Sequence, residues 1–297
     1  MLSRCMKRTV SIVGAGRLGR TLGRCLREQG WRIGAVVTRS SSTSRAAVRA
    51  IGTGTAYRQL TRQALDADVI LLTTPDDVLG STADQLARLG REACRDKIIL
   101  HTSGALDRSV LKPLARLGAS TGSLHPMQTF SGSTVPNLKG IIFAVEGSPP
   151  ARRAALAIAR SFGGIPIPIE SKSKPAYHAA GALVAGHALG LVEAATQILT
   201  QLGFPRRRAM QTLLPLIQQM LDNFERLGPR AAWTGPVARG DYAIVAKHMK
   251  ALRRYPPEFQ QSYAALARLA TRVVSKKTGA KMQQLDRALR NSRGGKN

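Results

Sequence analysis

The sequence predicts an α/β fold, a doubly wound parallel sheet followed by an all-helical second domain. Three observations predict it. Short β-branched runs alternate with amphipathic helical patterns over the first 170 residues, strand signals stop after Glu170, and a glycine-rich turn separates the first strand from the first helix. The runs that read as strands are Val10–Val13, Ile33–Val37, Val69–Thr73, Ile98–His101, Ser120–Leu124, Ile141–Val145 and Ile165–Ile169. Between the first two lies a helix from about Arg17 to Gln29. Its apolar stripe is Leu18, Leu22, Cys25 and Leu26, with Arg20, Arg24 and Arg27 largely outside it. Gly30 suits the helix end. Ser171-Lys172-Ser173-Lys174-Pro175 is a polar hinge opening a helix, because proline is tolerated in a first turn. Helical patterns follow at roughly 176–202, 206–227, 242–253, 257–275 and 280–291. The expected domains are therefore 1–170 and 171–297, without internal repeats and with a frayed tail over Asn291–Asn297.

Composition narrows the function classes. A chain of 297 residues with 43% hydrophobic residues can bury a sizeable core, which excludes disorder throughout. Its 45 Lys and Arg against 17 Asp and Glu give +28, a balance that raises nucleic acid or an anionic membrane as partners. Apart from Arg206-Arg207-Arg208, however, the basic residues are scattered at helical spacing, and 4% aromatics leave few stacking platforms. The charge thus reads as an arginine-biased solvated surface, or as attraction for an anionic substrate or cofactor. Cys5, Cys25 and Cys94 have neither metal-ligand spacing nor a disulfide pattern, which suits a reducing cytoplasm. The basic start and short apolar run of 1–13 are interrupted by Gly14, Gly16, Arg17 and Arg20, so no secretory core is expected. The longest apolar stretch, Ala179–Leu199, carries His187, Glu193 and Gln197 and much Ala and Gly. It predicts a buried helix of a soluble protein rather than a membrane span.

The strongest motif is Gly14-Ala15-Gly16-Arg17-Leu18-Gly19, a complete G-x-G-x-x-G between strand and helix. Gly14 permits the tight turn, Gly16 lets a pyrophosphate approach the backbone, and Gly19 lets the helix pack close to the strand. Helix N-terminal amides then face the diphosphate charge. A dinucleotide held by an acidic residue would need one about 20 positions on; position 39 is instead Arg39, followed by Ser40, Ser41, Ser42 and Thr43. A guanidinium among hydroxyls suits a 2′-phosphate, with Arg17 in reach of the same group, and selects NADP(H). The alternative is a serine-rich surface loop.

Ligands of such sheets sit beyond the carboxyl ends of the strands, and polar clusters recur there. Thr73-Thr74-Pro75-Asp76-Asp77 can pass the nicotinamide ribose. His101-Thr102-Ser103-Gly104 and His125-Pro126-Met127-Gln128 end the next two strands and would form a polar wall opposite the coenzyme. His178, placed in a first helical turn, would be kept neutral by the helix dipole. His187, nine residues on, would face the opposite side of an ideal helix and pack. Ala182, Gly186 and Gly190 would allow close helix approach. Thr234-Gly-Pro-Val-Ala-Arg239-Gly-Asp241 either grips an anionic substrate through Thr234 and Arg239, or has Asp241 capping the next helix and Arg239 paired to a carboxylate.

His101-Thr-Ser-Gly, Ser123-Leu-His125-Pro-Met-Gln-Thr-Phe130, Tyr177-His178-Ala-Ala and the 234–241 segment together resemble a bacterial family of Rossmann-like oxidoreductases with a C-terminal domain of unknown function 2520. The likeness covers nearly the whole chain. It extends distantly to pyrroline-5-carboxylate reductase, ketopantoate reductase and the 6-phosphogluconate dehydrogenase group, and the His125-Pro-Met segment is similar to one in prephenate dehydrogenases. The resemblance implies an NADP-linked oxidoreductase that dimerises through its helical domain.

The expected function is hydride transfer between NADP(H) and a small carbonyl or imine compound. His178 or His125 would act as acid or base, Ser103 would hydrogen-bond the substrate beside His101, and Arg239 with Thr234 would anchor its anionic group. The lysine typical of hydroxyacid dehydrogenases is not obvious; Lys174 and Lys247 are candidates by location alone. The rival readings are a non-catalytic NADP(H)-binding sensor and, on charge alone, a nucleic-acid-binding protein. Neither a specific nucleic acid, nor a membrane, nor a metal is expected as partner.

Overall fold

The computed structural model describes residues 8–132, 134–275 and 279–290. Cys5, the N-terminal segment before Arg8 and the tail expected to fray lie outside them. Two compact units divide the chain, Met1–Gly186 and His187–Asn297.

The first unit is built on an eight-stranded sheet. In chain order its elements are β1 (Thr9–Val13), α1 (Arg17–Glu28), β2 (Arg32–Val37), α2 (Ser41–Ile51), β3 (Thr55–Tyr57), β4 (Val69–Leu72), α3 (Asp76–Ala87), α4 (Arg91–Cys94), β5 (Ile98–His101), α5 (Lys112–Arg116), β6 (Ser120–Pro126), β7 (Ile142–Gly147), α6 (Pro149–Ser161), β8 (Ile165–Pro168) and α7 (Lys174–Ala182). The sheet order is β3-β2-β1-β4-β5-β6-β7-β8, so the chain reverses its direction of travel between β1 and β4. Strand side chains alternate between two cores. Val10, Ile12, Leu71 and Leu100 pack with α1, α2 and α6, whereas Val13, Ile70, Leu72 and Ile99 pack with α3, α4 and α5. Helices therefore cover both faces, as the pattern predicts. The expected α1 stripe holds, with Leu22 and Leu26 fully buried and Leu18 and Cys25 partly so.

Two expectations need correction. An eighth strand, β3, pairs parallel to β2; three residues are too few to show a periodicity. The sheet is also not wholly parallel, since β6 pairs antiparallel with β7. No helix forms among the described residues between Pro126 and Ile142, and without a crossover element the chain turns back. The sheet ends on the edge strand β8, Ile165-Pro-Ile-Pro168. Ile165 and Ile169 donate their amides to Ile141 O and Val145 O on the β7 side, so the two prolines stand where outward-facing amides would be. Although strand signals do stop before residue 170, the first compact unit runs on because Lys174 of α7 reaches the sheet.

The second unit is helical: α8 (Ala188–Gln201), α9 (Arg206–Ala232), α10 (Pro236–Arg239), α11 (Tyr242–Ala251), α12 (Pro257–Val274) and α13 (Gly279–Arg290). α9 breaks at Gly228 (φ 76°), just before Pro229, which is where the sequence pattern ends. A small core of Val245, Met249, Ala264, Ala267 and Leu285 joins α11, α12 and α13.

The apolar stretch near 179–199 is not the buried helix the sequence suggests. The helical segment Ser171–Gln201 is long and apolar enough to cross a membrane: its most apolar 18-residue window has a mean hydropathy of 1.4 and is 6% buried. Val184 is 78% exposed, and a Cβ on Gly186 or Gly190 would meet nothing within 4 Å among the described residues. A π-helical turn, Leu183–His187, also interrupts the α-helix. It removes the ideal phase on which the opposite-face assignment of His187 depended.

Candidate active site

The glycine turn lies where the direction of travel reverses, the place at which open α/β sheets bind ligands. Each glycine does what its position requires. Gly14 has φ +91°, and a Cβ there would stand 2.6 Å from the Thr74 amide nitrogen. At Gly19 a Cβ would lie 3.3 Å from Ile12 Cγ2 and closer still to Thr73 Oγ1, so α1 sits hard against the strand ends. At Gly16 the nearest atom would be Gly14 O at 3.9 Å, which leaves open space over the start of α1. Ala15 is buried, Leu18 half-buried, and Arg17 exposed beside Gly132. Thr73 Oγ1 donates to Gly14 O at 2.8 Å and ties the β1 and β4 ends together.

Beyond β2 the hydroxyls form their own network. Ser40 caps α2 by accepting from the Thr43 amide, and Thr38 Oγ1 lies 2.6 Å from Thr43 Oγ1. Arg39 is exposed and in no ion pair among the described residues, and no carboxylate ends β2. Opposite, the Thr74 hydroxyl oxygen is buried between Gly14 and Pro75 without a hydrogen-bond partner among the described residues.

The ends of β5 and β6 and the start of α7 assemble a second cluster. Asp76, in the first turn of α3, accepts from Ser103 Oγ at 2.7 Å, while Ser103 Oγ accepts from the amides of Ala105 and Leu106. The hydroxyl expected to bind substrate is thus fully occupied holding the turn after β5. His101 is fully buried. Its Nδ1 accepts from the Ser103 amide at 3.2 Å, and its Nε2 makes no hydrogen bond among the described residues. Burial, with Lys174 nearby, pushes its pKa down to about 3, so the ring is neutral. It belongs to the wall of the site, not to a substrate-facing surface.

His125 and His178 do come together. Their rings meet edge to face with centroids 5.6 Å apart, and His125 Nδ1 lies 3.1 Å from Tyr177 Oη. Burial, then His178, then Lys174 lower His125 to about 4. Gly104 floors the gap between the rings, for a Cβ there would lie 2.5 Å from His178 Cδ2 and 2.8 Å from His125 Nε2. His178 is the fifth residue of α7, past the first turn in which a helix dipole acts, so the dipole argument does not reach it.

The residue that sequence reasoning placed by location alone is Lys174. It is fully buried, and its Nζ donates to Ser123 Oγ at 2.8 Å and to Ser103 O at 3.0 Å. Burial lowers its pKa, opposed by Glu146, Asp107 and Asp76. The buried Glu146 was missed. It accepts from the Arg108 amide at 2.9 Å and lies beside Ser171. In the helical unit Thr234 is exposed, and Arg239 pairs with Asp241 at 2.9 Å, as the plainer reading held. Asp241 occupies the position before α11 without capping it. Lys247 lies on α11, in the helical unit.

A mostly parallel sheet that changes direction over a G-x-G-x-x-G turn, followed by helices, defines a Rossmann-like α/β protein with a helical second part. Residues 3–126 match the Rossmann-like domain model, and residues 141–270 match the domain of unknown function DUF2520. The chain thus carries a Rossmann-like domain followed by a DUF2520 domain. No curated protein matches it. Among solved structures it is similar to BF3122 of Bacteroides fragilis, provisionally assigned as an NADP oxidoreductase (22% identity, 90% of this chain and 98% of that one, TM-score 0.76). It is also similar to TM1727 of Thermotoga maritima (24%, 96% and 100%, TM-score 0.65). A third is the NADP-bound pyrroline carboxylate reductase of Plasmodium falciparum (12%, 96% and 97%, TM-score 0.56). At these identities the likeness is one of fold.

Proposed function

We propose that the protein is a cytoplasmic, homodimeric NADP(H)-dependent oxidoreductase acting on a small carbonyl or imine compound. The observation that carries this reading is the open backbone at Gly16 over the N-terminus of α1, flanked by the unpartnered Thr74 hydroxyl and by Arg39 in place of a carboxylate. These residues fit the coenzyme: first-turn amides suit the diphosphate, Arg39 with Arg17 the 2′-phosphate, and Thr74 to Asp76 the nicotinamide ribose. BF3122, provisionally assigned as an NADP oxidoreductase, and the pyrroline carboxylate reductase solved with NADP bound support the choice. When bound, the coenzyme supplies or accepts hydride.

The chain does the rest. Reduction of a carbonyl or imine carbon leaves its oxygen or nitrogen needing a proton, and His125 and His178 stand together to hold that atom and deliver it. Lys174 locks the β5 and β6 ends to α7 and so fixes both histidines. Thr234 and Arg239 keep the proposed grip on an anionic substrate group, the guanidinium exchanging Asp241 for the ligand. A second copy is the proposed cover for the apolar residues of α9, where Met210, Leu214, Leu221 and Phe224 recur at helical spacing, each at least 45% exposed. Lipid is a poorer cover, because Arg206 and Glu193 pair bidentately between α8 and α9.

Calorimetry with NADPH and NADH, followed by loss of NADPH absorbance over a carbonyl and imine panel, tests the reading. Tight NADPH uptake with turnover is expected; uptake without turnover by any compound would leave a coenzyme-binding sensor, and no uptake sinks both. Sedimentation of wild type and Leu221→Glu tests the dimer, which the variant should dissociate.

A further inference from the structure

The geometry points to Tyr177 as the residue that fixes His125 as a neutral hydrogen-bond donor towards the gap over Gly104, leaving proton exchange to His178. The functional half of this inference deepens the oxidoreductase reading and rests on it; the tautomer does not.

A neutral imidazole has one N–H and one lone pair, so the bond made by one nitrogen dictates what the other offers. His125 Nδ1 is bound to Tyr177 Oη, and the phenol has a single hydrogen. Were Nδ1 the donor, the phenol would lose its one protein acceptor, for the half-buried hydroxyl has no other among the described residues. Burial holds the phenol protonated, with a pKa of about 12. The arrangement that uses the phenol's hydrogen within the protein has Oη–H donating to Nδ1, which leaves the hydrogen of His125 on Nε2.

That nitrogen borders the gap floored by Gly104, with His178 on its other side. The groups facing the His125 ring are His178 and Lys174 from α7 and His101 from β5, and none is a carboxylate. Nothing there stabilises an imidazolium, so His125 can offer an N–H to a ligand's carbonyl, imine or carboxylate acceptor but is ill suited to carry a second proton. His178 is exposed and makes no hydrogen bond among the described residues, so it can trade protons with water. The two histidines thus divide into a holder and a shuttle. Tyr177 is the positioning residue.

The test is long-range 1H–15N spectroscopy of the full chain labelled in histidine, at pH 7, with His125 assigned through His125→Gln. A single Nε2–H tautomer is expected for His125. Tyr177→Phe should lower the ratio of Nε2–H to Nδ1–H about five-fold, the loss of one neutral hydrogen bond, without changing NADPH affinity. An Nδ1–H tautomer or an imidazolium in the wild type overturns the inference, as does an unaltered tautomer in folded Tyr177→Phe. Should that variant not fold, global 3-fluorotyrosine substitution strengthens the phenol as donor and must move the His125 Nδ1 resonance; no movement overturns it. With a substrate in hand, His178→Ala should abolish a limb of the kcat/KM pH profile that His125→Gln retains, and the reverse pattern refutes the division. Failure of NADPH to bind would sink the proposed function while leaving the tautomer result standing.

Discussion

The three glycines of the turn separate folding from binding, and alanine at each should show it. At Gly16 the backbone is extended (φ −73°, ψ −153°), a conformation alanine adopts, and its Cβ would meet no atom nearer than 3.9 Å. Gly16→Ala should therefore change stability by less than about 1 kcal/mol, with the reduced freedom of the unfolded chain favouring the variant. The same methyl stands in the space proposed for the diphosphate, so NADPH affinity should fall at least about ten-fold, equivalent to roughly 1.4 kcal/mol. Gly19→Ala drives its methyl between Thr73 Oγ1 and Ile12, an overpacking that costs about 1–3 kcal/mol. That is a drop of roughly 2–12 °C in Tm for a unit of this size. Gly14→Ala adds a left-handed φ to a collision with the Thr74 amide and should be at least as harmful. Denaturation midpoints with calorimetric NADPH titrations of the three variants form the assay. If Gly16→Ala lost stability like Gly19→Ala while binding NADPH normally, the assignment of roles within the turn would be wrong.

Other outcomes follow from the same structure. Arg39→Glu should weaken NADPH about ten- to hundred-fold while leaving NADH within about three-fold, as expected for losing a bidentate phosphate contact; parallel titrations at two salt concentrations measure it. His101 and His125, held at about 3 and 4 in the fold against 6.5 unfolded, leave the unfolded chain binding more protons below pH 6.5. Stability should therefore fall as pH drops from 6.5 towards 4, by up to about 1.4 kcal/mol per pH unit for each histidine, read from urea midpoints. Lys174 has the opposite window. Its folded pKa is lowered, so its burial penalty fades as pH rises towards the unfolded value, and the wild type should gain stability on the way to pH 10. Lys174→Met should lack that rise, and a variant that keeps it would show that another group is responsible.

What the sequence reveals depends on where the constraint resides. The glycine turn was legible because its constraint is local: a left-handed φ and two close approaches within a few residues of one strand. Helix limits were legible for the same reason, down to the break before Pro229. Strand direction was not, since alternation is the same read either way, and β7 betrays itself only by the lack of a helical pattern after Pro126. Ser103 carried a signal that was readable, because a serine just before Gly-Ala-Leu suits a side-chain turn to the following amides. Lys174 carried none, for its burial depends on Ser103 and Ser123, 71 and 51 residues away.

The prolines of β8 bear on how copies of this protein can meet. Ile165 and Ile167 are 50% and 45% exposed on an edge strand, a sticky margin in most sheets. With Pro166 and Pro168 occupying the outward amide positions, an incoming strand finds carbonyls but no donors there, and the far margin, β3, offers only three residues. Self-recruitment by strand addition is thereby blocked at one margin and starved at the other. Restoring both amides, as in Pro166→Val with Pro168→Val, would convert a sealed hem into a seed for runaway stacking.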